Sequence, residues 1–433
     1  MAVEQRKKSR KKVVFEEKGY FQEGKILTTT YQRSIILSAS SSFFLWGIIS
    51  AIGPLAASGS LVGALAGNLK TIFLLIGPIF ILIGNTTMGY MSDHIGRKRT
   101  FVITMAAYAI GLLLIVVFTL TGGITGVASG LALSQFGIGG EEPPSLSLLT
   151  EDFSLDARTQ LLALVPNFGN IGTAFITGLM LLSNINPAYL IMFSTVALLG
   201  ILVYSRITLP ESFRWLSSKG YKDRALEERK KLKIDREGTR IKHPGFAAAI
   251  ITLALIGISQ YLTFGLMAYV IGPYEFPSST FDEEIIFIAT LGASIGGFIA
   301  ARLVRNSRKN FTLYSYLGGF ISMIFILLLV GYMKSLFVFL PLLFFNMIMS
   351  EFGWVSRTTL EPETFPTKLR STAIGLIRVF PMTAYIASIY LTSSLNAYQF
   401  ILFNLILWAI GLCGAFVWYY FGFETGNISP DYI

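Results

Sequence analysis

Twelve long apolar runs divide this sequence, and they limit the fold more than any other feature of the chain. Each run is about 20 residues long, the length that an α-helix needs to cross a hydrocarbon layer of roughly 30 Å. Within that layer every backbone N–H and C=O needs a partner inside the protein, which a helix provides for itself. With 53% hydrophobic and 14% charged residues, the chain lacks the polar surface of a soluble domain. The sequence therefore predicts an all-α membrane protein with twelve transmembrane helices. The runs lie at about 34–58, 69–91, 100–120, 123–148, 159–183, 187–208, 246–272, 284–304, 311–332, 335–359, 371–393 and 397–421.

The connections between the runs alternate sharply in basic charge. Lys and Arg cluster after every second run, with eleven of them between Arg214 and Lys242, whereas the other connections hold only Lys334, with Lys70 at a border. Because basic loops stay on the cytoplasmic side, we expect both termini in the cytoplasm and the protein in the cytoplasmic membrane. The same distribution accounts for the net charge of +10, so nucleic-acid binding is not expected. The first 33 residues show no cleavable signal peptide.

The polar stretches between the runs set the predicted domain boundaries. We expect a cytoplasmic tail at 1–33 near anionic lipid, a first six-helix bundle at 34–208 and a central loop at 209–245 that forms short surface helices. A second bundle follows at 246–421 and a short tail at 422–433. The single cysteine, Cys413, and the two histidines, His94 and His243, form no metal-ligand pattern. We therefore expect no metal and no cofactor, and we expect a monomer.

An internal repeat relates the two halves. Glu151 and Arg158 after the fourth run match Glu363 and Arg370 after the tenth, both as E-x-F-x-x-x-x-R at a shift of 212 residues. Arg97-Lys98 matches Arg308-Lys309 at a shift of 211. Two matches at nearly one shift indicate duplication of a six-helix unit. In transporters that architecture places a substrate site between the halves near the membrane midplane.

A charged turn between the second and third runs carries a recognisable signature. Gly89, Asp93, Gly96, Arg97 and Lys98 follow the pattern G-x-x-x-D-x-x-G-R-[KR], which resembles the loop signature of the major facilitator superfamily.

Further loop sequences are similar to the sugar-porter and metabolite:proton symporter branch of that family. They are Pro210–Leu216 (PESFRWL), Glu363–Arg370 (ETFPTKLR) and Glu424-Thr425. The resemblance implies two pseudo-symmetric six-helix bundles and transport by alternating access. It also implies that Asp93 meets the N-terminus of the eleventh helix, near Ser371 and Thr372, as part of a latch. The corresponding loop after the eighth run has no acid, so we expect two unequal latches.

Two departures from the branch bear on the substrate. The seventh run has Gln260 alone where sugar porters usually have paired glutamines, which argues against a sugar. The sequence Gly137–Pro143 (GIGGEEP) is closer to the G-x-G-G-D-x-P of phosphate and organic-ion symporters, with Glu141 in the Asp position. In phosphate symporters an Asp occupies the place of Gln260, and the first run contains no acid, so inorganic phosphate is disfavoured.

Three acids at membrane depth are candidates for proton coupling: Glu141, Glu142 and Glu351. Carboxyl groups are costly there and usually face a cavity, and burial favours the protonated form. Pro144 cannot complete a regular helical hydrogen bond, so we expect a bend beside the first two. The alternative for Glu141 and Glu142 is an ion pair with a neighbouring helix or a position in a wet vestibule.

Arg378 is the main candidate for substrate binding. A cation two turns into the eleventh run needs an acid or an anionic ligand, so it either pairs with Glu351 as a gate or holds a carboxylate. Polar side chains that could bond a polar solute are Asn167, Asn170, Gln260, Tyr261 and Tyr385. Hydrogen bonds between helices are the commoner use of such groups.

Together these features predict a secondary transporter that moves a small polar metabolite, an organic anion or a sugar-like molecule, with protons as the coupled ion. An uncoupled facilitator and a non-transporting receptor or scaffold are the alternatives. No nucleophile, base and metal constellation indicates an enzyme.

Overall fold

A computed structural model describes residues 29–63, 65, 68–232, 246–276, 278–426 and 428. Most of the predicted N-terminal tail, residues 233–245 of the central loop and most of the C-terminal tail lie outside the described residues. Within the described chain all regular structure is helical. The helices are α1 (Thr30–Ser58), α2 (Asn68–Ile95), α3 (Arg97–Thr121), α4 (Ile124–Gly139), α5 (Glu142–Glu151), α6 (Leu155–Leu182), α7 (Pro187–Ile207), α8 (Phe213–Ser218), α9 (Lys222–Lys230), α10 (Phe246–Gly265), α11 (Ile271–Glu275), α12 (Ser279–Leu303), α13 (Arg308–Leu328), α14 (Leu336–Thr364), α15 (Arg370–Ile377), α16 (Val379–Thr392) and α17 (Ala397–Phe421).

Eleven stretches of the described chain are long and apolar enough to cross a membrane. The remaining predicted crossing, the fourth, consists of α4 and α5, which meet at Gly140 and Glu141. Pro143 and Pro144 occupy the start of α5, where a missing backbone donor costs least. The predicted bend is confirmed, and with it the prediction of twelve transmembrane helices. The predicted short helices of the central loop are α8 and α9.

Two further crossings are interrupted near the middle of the molecule. In the seventh, α10 ends at Gly265 and a single π-helical stretch, Leu266–Val270, leads into the short helix α11. In the eleventh, α15 gives way to α16 at Arg378. A π-turn opens the regular hydrogen-bond ladder and turns side chains to new directions, and such turns occur often at functional sites. Both interruptions lie beside the central cavity described below.

The two six-helix halves meet along the second, fifth, eighth and eleventh crossings. Helix α2 lies so close to α15 that a Cβ added to Gly375 would come within 2.4 Å of the carbonyl oxygen of Asn85. A Cβ added to Gly89 would likewise come within 2.7 Å of the Ser371 carbonyl oxygen. Glycine is thus required for this approach. The end of the molecule where α2 and α15 approach each other also carries the basic loops, and we call it the basic end. We call the other end the opposite end.

Candidate transport site and its gates

A narrow cavity lies between the two halves, with about 60 Å³ of space that water can reach. Seven aromatic residues line it: Trp46 comes from α1, Tyr269 from the π-helical stretch and Trp354 from α14, and the others are Phe73, Tyr261, Phe264 and Tyr385. Trp46 and Trp354 touch across the two halves with ring centroids 5.4 Å apart. Aromatic walls of this kind suit a ligand with a flat apolar body.

The charged side chains that line the cavity are Arg378 and Glu142, which lie next to each other. The Arg378 guanidinium donates through Nη1 to Glu142 Oε2, across the two halves, and through Nη2 to Glu361 Oε2 at 2.8 Å. The Glu361 Oε1 atom in turn accepts from Arg357 Nε at 3.2 Å, and Arg357 Nη1 donates to Gln260 Oε1 at 2.6 Å. Two carboxylates and two guanidinium groups therefore form one buried cluster with no net charge. We call Glu142, Arg357, Glu361 and Arg378 the four-charge cluster.

The predicted pairing of Arg378 with Glu351 is wrong. Glu351 instead accepts a hydrogen bond from Asn170 Nδ2 at 2.7 Å, and within the described chain it has no ion pair. Asn170 also donates to Asn167 Oδ1 at 3.1 Å, and Asn167 donates to the Ser294 carbonyl at 2.9 Å. These contacts join α6 to α12 and α14. Glu351, Asn167 and Asn170 lie in this packed interface and are not among the residues that line the cavity.

The adjacent acids Glu141 and Glu142 face different surroundings. Glu141 accepts two hydrogen bonds from Arg206 Nη2, at 2.8 and 2.6 Å, and one from Thr104 Oγ1 at 2.6 Å. All these groups belong to the first half, and Glu141 is absent from the cavity walls. The geometry of Glu141 matches the ion-pair alternative. Glu142 lines the cavity and has one carboxylate oxygen, Oε1, without a hydrogen-bond partner among the described residues.

A network of buried ion pairs closes the basic end. Arg97 donates to Asp93 Oδ1 at 2.9 Å and to Glu151 Oε1 at 2.8 Å, and Glu151 Oε1 also accepts from Arg370 Nη1 at 2.8 Å. The second carboxylate oxygen of Asp93 accepts from both the backbone N–H and the Oγ1 of Thr372, each at 2.7 Å. The predicted contact of Asp93 with the start of the eleventh crossing is confirmed. An anion there is stabilised by the first free N–H groups of α15.

A second network repeats the first around Glu363. Arg308 Nη2 donates to Glu363 Oε1 at 3.1 Å, and Arg158 Nε lies 3.0 Å from the same oxygen. The Nη1 group of Arg308 donates to the Val304 carbonyl at 2.7 Å, and Val304 stands 211 residues after Asp93. The described part of this second latch therefore contains no acid in the Asp93 position, as expected for unequal latches.

Two acids that follow the sixth and twelfth crossings cap the helices of these latches. Glu211 accepts from the backbone N–H of Arg97 at 2.9 Å and of Lys98 at 3.3 Å. Glu424 accepts from Arg308 N at 2.8 Å and Lys309 N at 3.2 Å. Burial raises the pKa of Glu211 despite these hydrogen bonds. Sequence reasoning identified both acids only as parts of loop motifs, and their capping role depends on how the loops fold back.

This architecture of two six-helix halves, a central cavity and buried latches at one end is that of a membrane transporter. The chain belongs to the major facilitator superfamily, since the model of that family matches residues 35–389. It is therefore a transporter of that superfamily rather than an enzyme.

Individual relatives and solved structures agree with this placement. A Bacillus subtilis (strain 168) protein named as a niacin/nicotinamide transporter, NiaP, is 26% identical over 315 residues, which cover 70% of this chain and 74% of that protein. Inorganic phosphate transporter 1-11 of Oryza sativa subsp. japonica is 25% identical, covering 74% and 69%. The fold matches that of the proton:xylose symporter XylE bound to 6-bromo-6-deoxy-D-glucose with a TM-score of 0.75 at 17% identity, covering 93% and 98%. The inward open form of XylE from E. coli gives a TM-score of 0.67, at 17% identity and covering 91% and 97%.

Proposed function

We propose that this protein transports a small organic carboxylate with a flat ring by alternating access, together with one proton. The basic end would face the cytoplasm, as the distribution of Lys and Arg favours. The observation that carries the proposal is the position of Arg378, whose guanidinium is at once a wall of the aromatic cavity and the partner of Glu142 across the two halves.

The neutral four-charge cluster explains why a proton would accompany an anion. Adding a carboxylate to a buried neutral site leaves an uncompensated charge, which is strongly unfavourable. If Glu142 takes up a proton as the substrate arrives, Arg378 exchanges one carboxylate partner for another and the cluster stays neutral. The proton would bind Glu142, whose Oε1 has no partner among the described residues.

The walls favour a planar aromatic acid over a sugar or phosphate. A sugar needs many directed hydrogen bonds, and each of the two amide side chains at the cavity already uses one of its ends: Gln135 Nε2 donates to the Ile49 carbonyl at 3.1 Å and Gln260 Oε1 accepts from Arg357. Gln135 Oε1 has no partner among the described residues. The relative named as a niacin/nicotinamide transporter acts, by its name, on a small compound with one flat ring. Nicotinate and nicotinamide differ in a carboxylate against an amide, so the pair separates recognition of the ring from recognition of the charge.

Binding of these two compounds to the purified protein tests the proposal. We expect nicotinate to raise the melting temperature and nicotinamide to bind at least about tenfold more weakly, because a lost ion pair of about 1.4 kcal/mol corresponds to that ratio. Binding of nicotinate should also take up one proton, measured by calorimetry in buffers of different ionisation enthalpy. Glu142→Gln should abolish this proton uptake, and Glu227→Gln, at an exposed position, is the matched control. Equal affinity for the two compounds, or unchanged proton uptake in Glu142→Gln, would contradict the proposal.

A further inference from the structure

At the opposite end of the molecule, a second set of contacts joins the halves. Ser60 Oγ donates to Glu283 Oε1 at 2.6 Å, and Lys70 Nζ lies 3.5 Å from the Pro273 carbonyl oxygen. The Tyr274 hydroxyl lies 3.5 Å from Thr71 Oγ1. These contacts run from the turn after α1 and the start of α2 in the first half to α11 and the start of α12 in the second. We call this set of contacts the outer gate, because its separation would open the cavity at that end.

Asp282 is a buried acid inside the outer gate. It lies in the first turn of α12 with 1% of its surface exposed. Both of its carboxylate oxygens lack a hydrogen-bond partner, and it makes no ion pair with any residue that the structure describes. Helix α11 packs directly on it: a Cβ added to Gly272 would come within 1.9 Å of Asp282 Oδ1.

The groups around Asp282 offer it little compensation. On α2, Lys70 is the cation that acts on it, and the Lys70 ammonium is directed to the Pro273 carbonyl. On its own helix, Glu283 adds a like charge. On α1, the Ser58 hydroxyl is near enough to favour the ionised carboxylate, but its hydrogen bond at 3.1 Å goes to the Leu55 carbonyl. An ionised carboxylate with no contacting cation and only this hydroxyl beside it is far less stable there than a neutral carboxylic acid.

We propose that Asp282 is a proton-binding site that locks the outer gate: it holds a proton while α1, α11 and α12 are packed together and releases it to water when they separate. The inference rests on the alternating-access function proposed above. It assigns to Asp282 a control of gating that is separate from the coupling acid Glu142. Acid on that side of the membrane then favours the closed gate, and alkali favours its opening.

The size of the effect follows from one linked proton. Between the pH at which Asp282 ionises in the open gate and the pH at which it would ionise in the closed gate, the ratio of open to closed molecules rises about tenfold per pH unit. Above and below that window the ratio is independent of pH. A group that titrates without changing its surroundings contributes nothing to this slope.

Distances between spin labels across the opposite end measure the ratio directly. Leu182 on α6 and Phe337 on α14 are exposed at 88% and 96% and belong to different halves, so labelled cysteines at these positions report opening once the native Cys413 is replaced by serine. The measurement uses the full chain in lipid nanodiscs, without substrate. A Glu142→Gln background removes the proton of the proposed coupling acid, so failure of the gate and failure of the coupling remain distinguishable.

In the Glu142→Gln background we expect the ratio of the long-distance to the short-distance population to rise by up to about tenfold per pH unit. Asp282→Asn should remove that dependence, and Glu284→Gln, a half-buried neighbour on the same helix, should keep it. The same pH dependence in Asp282→Asn would overturn the proposal. If Asp282→Asn does not fold, Lys70→Gln gives a second test: loss of the nearby cation should move the upper end of the pH-dependent window, where the ratio stops rising, to higher pH. Loss of the Lys70 gate contact changes the ratio at every pH and does not move that upper end, so an unmoved upper end would also overturn the proposal.

Discussion

Removing the negative charge of Asp93 should open the basic end. The Asp93 carboxylate makes two hydrogen bonds of 2.7 Å to Thr372 across the halves, while its other oxygen pairs with Arg97 inside the first half. In Asp93→Asn only one side-chain oxygen remains. Either Arg97 or Thr372 therefore loses its acceptor, and the other donates to a neutral oxygen instead of a charged one. Hydrogen bonds to a charged group contribute about 1.5–3 kcal/mol and those to a neutral group about 0.5–1.5 kcal/mol. The favourable contact of the carboxylate with the N-terminus of α15 contributes a further amount of about 0.3–1 kcal/mol.

If the remaining oxygen stays with Thr372, its two hydrogen bonds each weaken by about 1–1.5 kcal/mol. Together with the helix contact this gives about 2–4 kcal/mol, which shifts the equilibrium towards the open basic end by roughly 30- to 800-fold. Spin labels at Tyr204 and Phe421, exposed at 68% and 78% near the basic ends of the sixth and twelfth crossings, report the distance between halves. The exposed Asp156 supplies a control, since Asp156→Asn removes a charge from the same end without touching the latch. A distance distribution identical to that of the wild type in Asp93→Asn would refute the assignment of Asp93 to the latch.

The remaining predictions concern pH, packing and the ion pair inside the first half. Burial raises the pKa of Asp152, just after the fourth crossing, well above its usual range; the folded protein therefore binds a proton that the unfolded chain releases, so the free energy of unfolding should fall as the pH rises through that raised pKa, and Asp152→Asn should reduce this pH dependence in denaturation curves. Gly375→Ala should displace α15 from α2 and lower transport and melting temperature together, whereas the exposed Gly200, with open space around it, should tolerate alanine. Glu141→Ala should strand the buried Arg206 and lower the free energy of unfolding by about 3–5 kcal/mol in denaturation curves; a variant as stable as the wild type would show that the pair is dispensable.

The crossings and the latches could be predicted from the sequence because each depends on a short, continuous stretch of residues. An apolar run has a length that the membrane dictates, and Asp93, Arg97 and Glu151 belong to loop patterns, of which a repeat doubles Arg97 and Glu151. The bend at Pro144 was predictable for the same reason, since a missing backbone donor acts within one turn. The unequal latches likewise followed from Val304, where the repeat has no acid.

The pairings inside the membrane were not predictable in the same way. Glu141 and Glu142 are neighbours in sequence, yet the break at the start of α5 sends one to Arg206 and the other to the cavity, and small rotations of helices decide such outcomes. Arg378, a candidate from the sequence, lines the cavity, but its partners lie on two other crossings whose relative depth the sequence does not specify. Glu361 had one usable signal, its position four residues after Arg357 on one helix face. The aromatic walls had none, because lipid-facing and cavity-facing rings look alike in sequence.

The neutrality of the four-charge cluster also bears on how the membrane voltage acts. A voltage does work on a moving charge of about 2.3 kcal/mol per elementary charge for each 100 mV. An empty cavity of zero net charge, and a loaded one that has gained an anion and a proton together, both cross this field without a net charge displacement in the site. Uptake would then respond to a pH gradient but not to a potassium diffusion potential. Measuring uptake by reconstituted vesicles with and without such a potential therefore tests whether the site stays neutral.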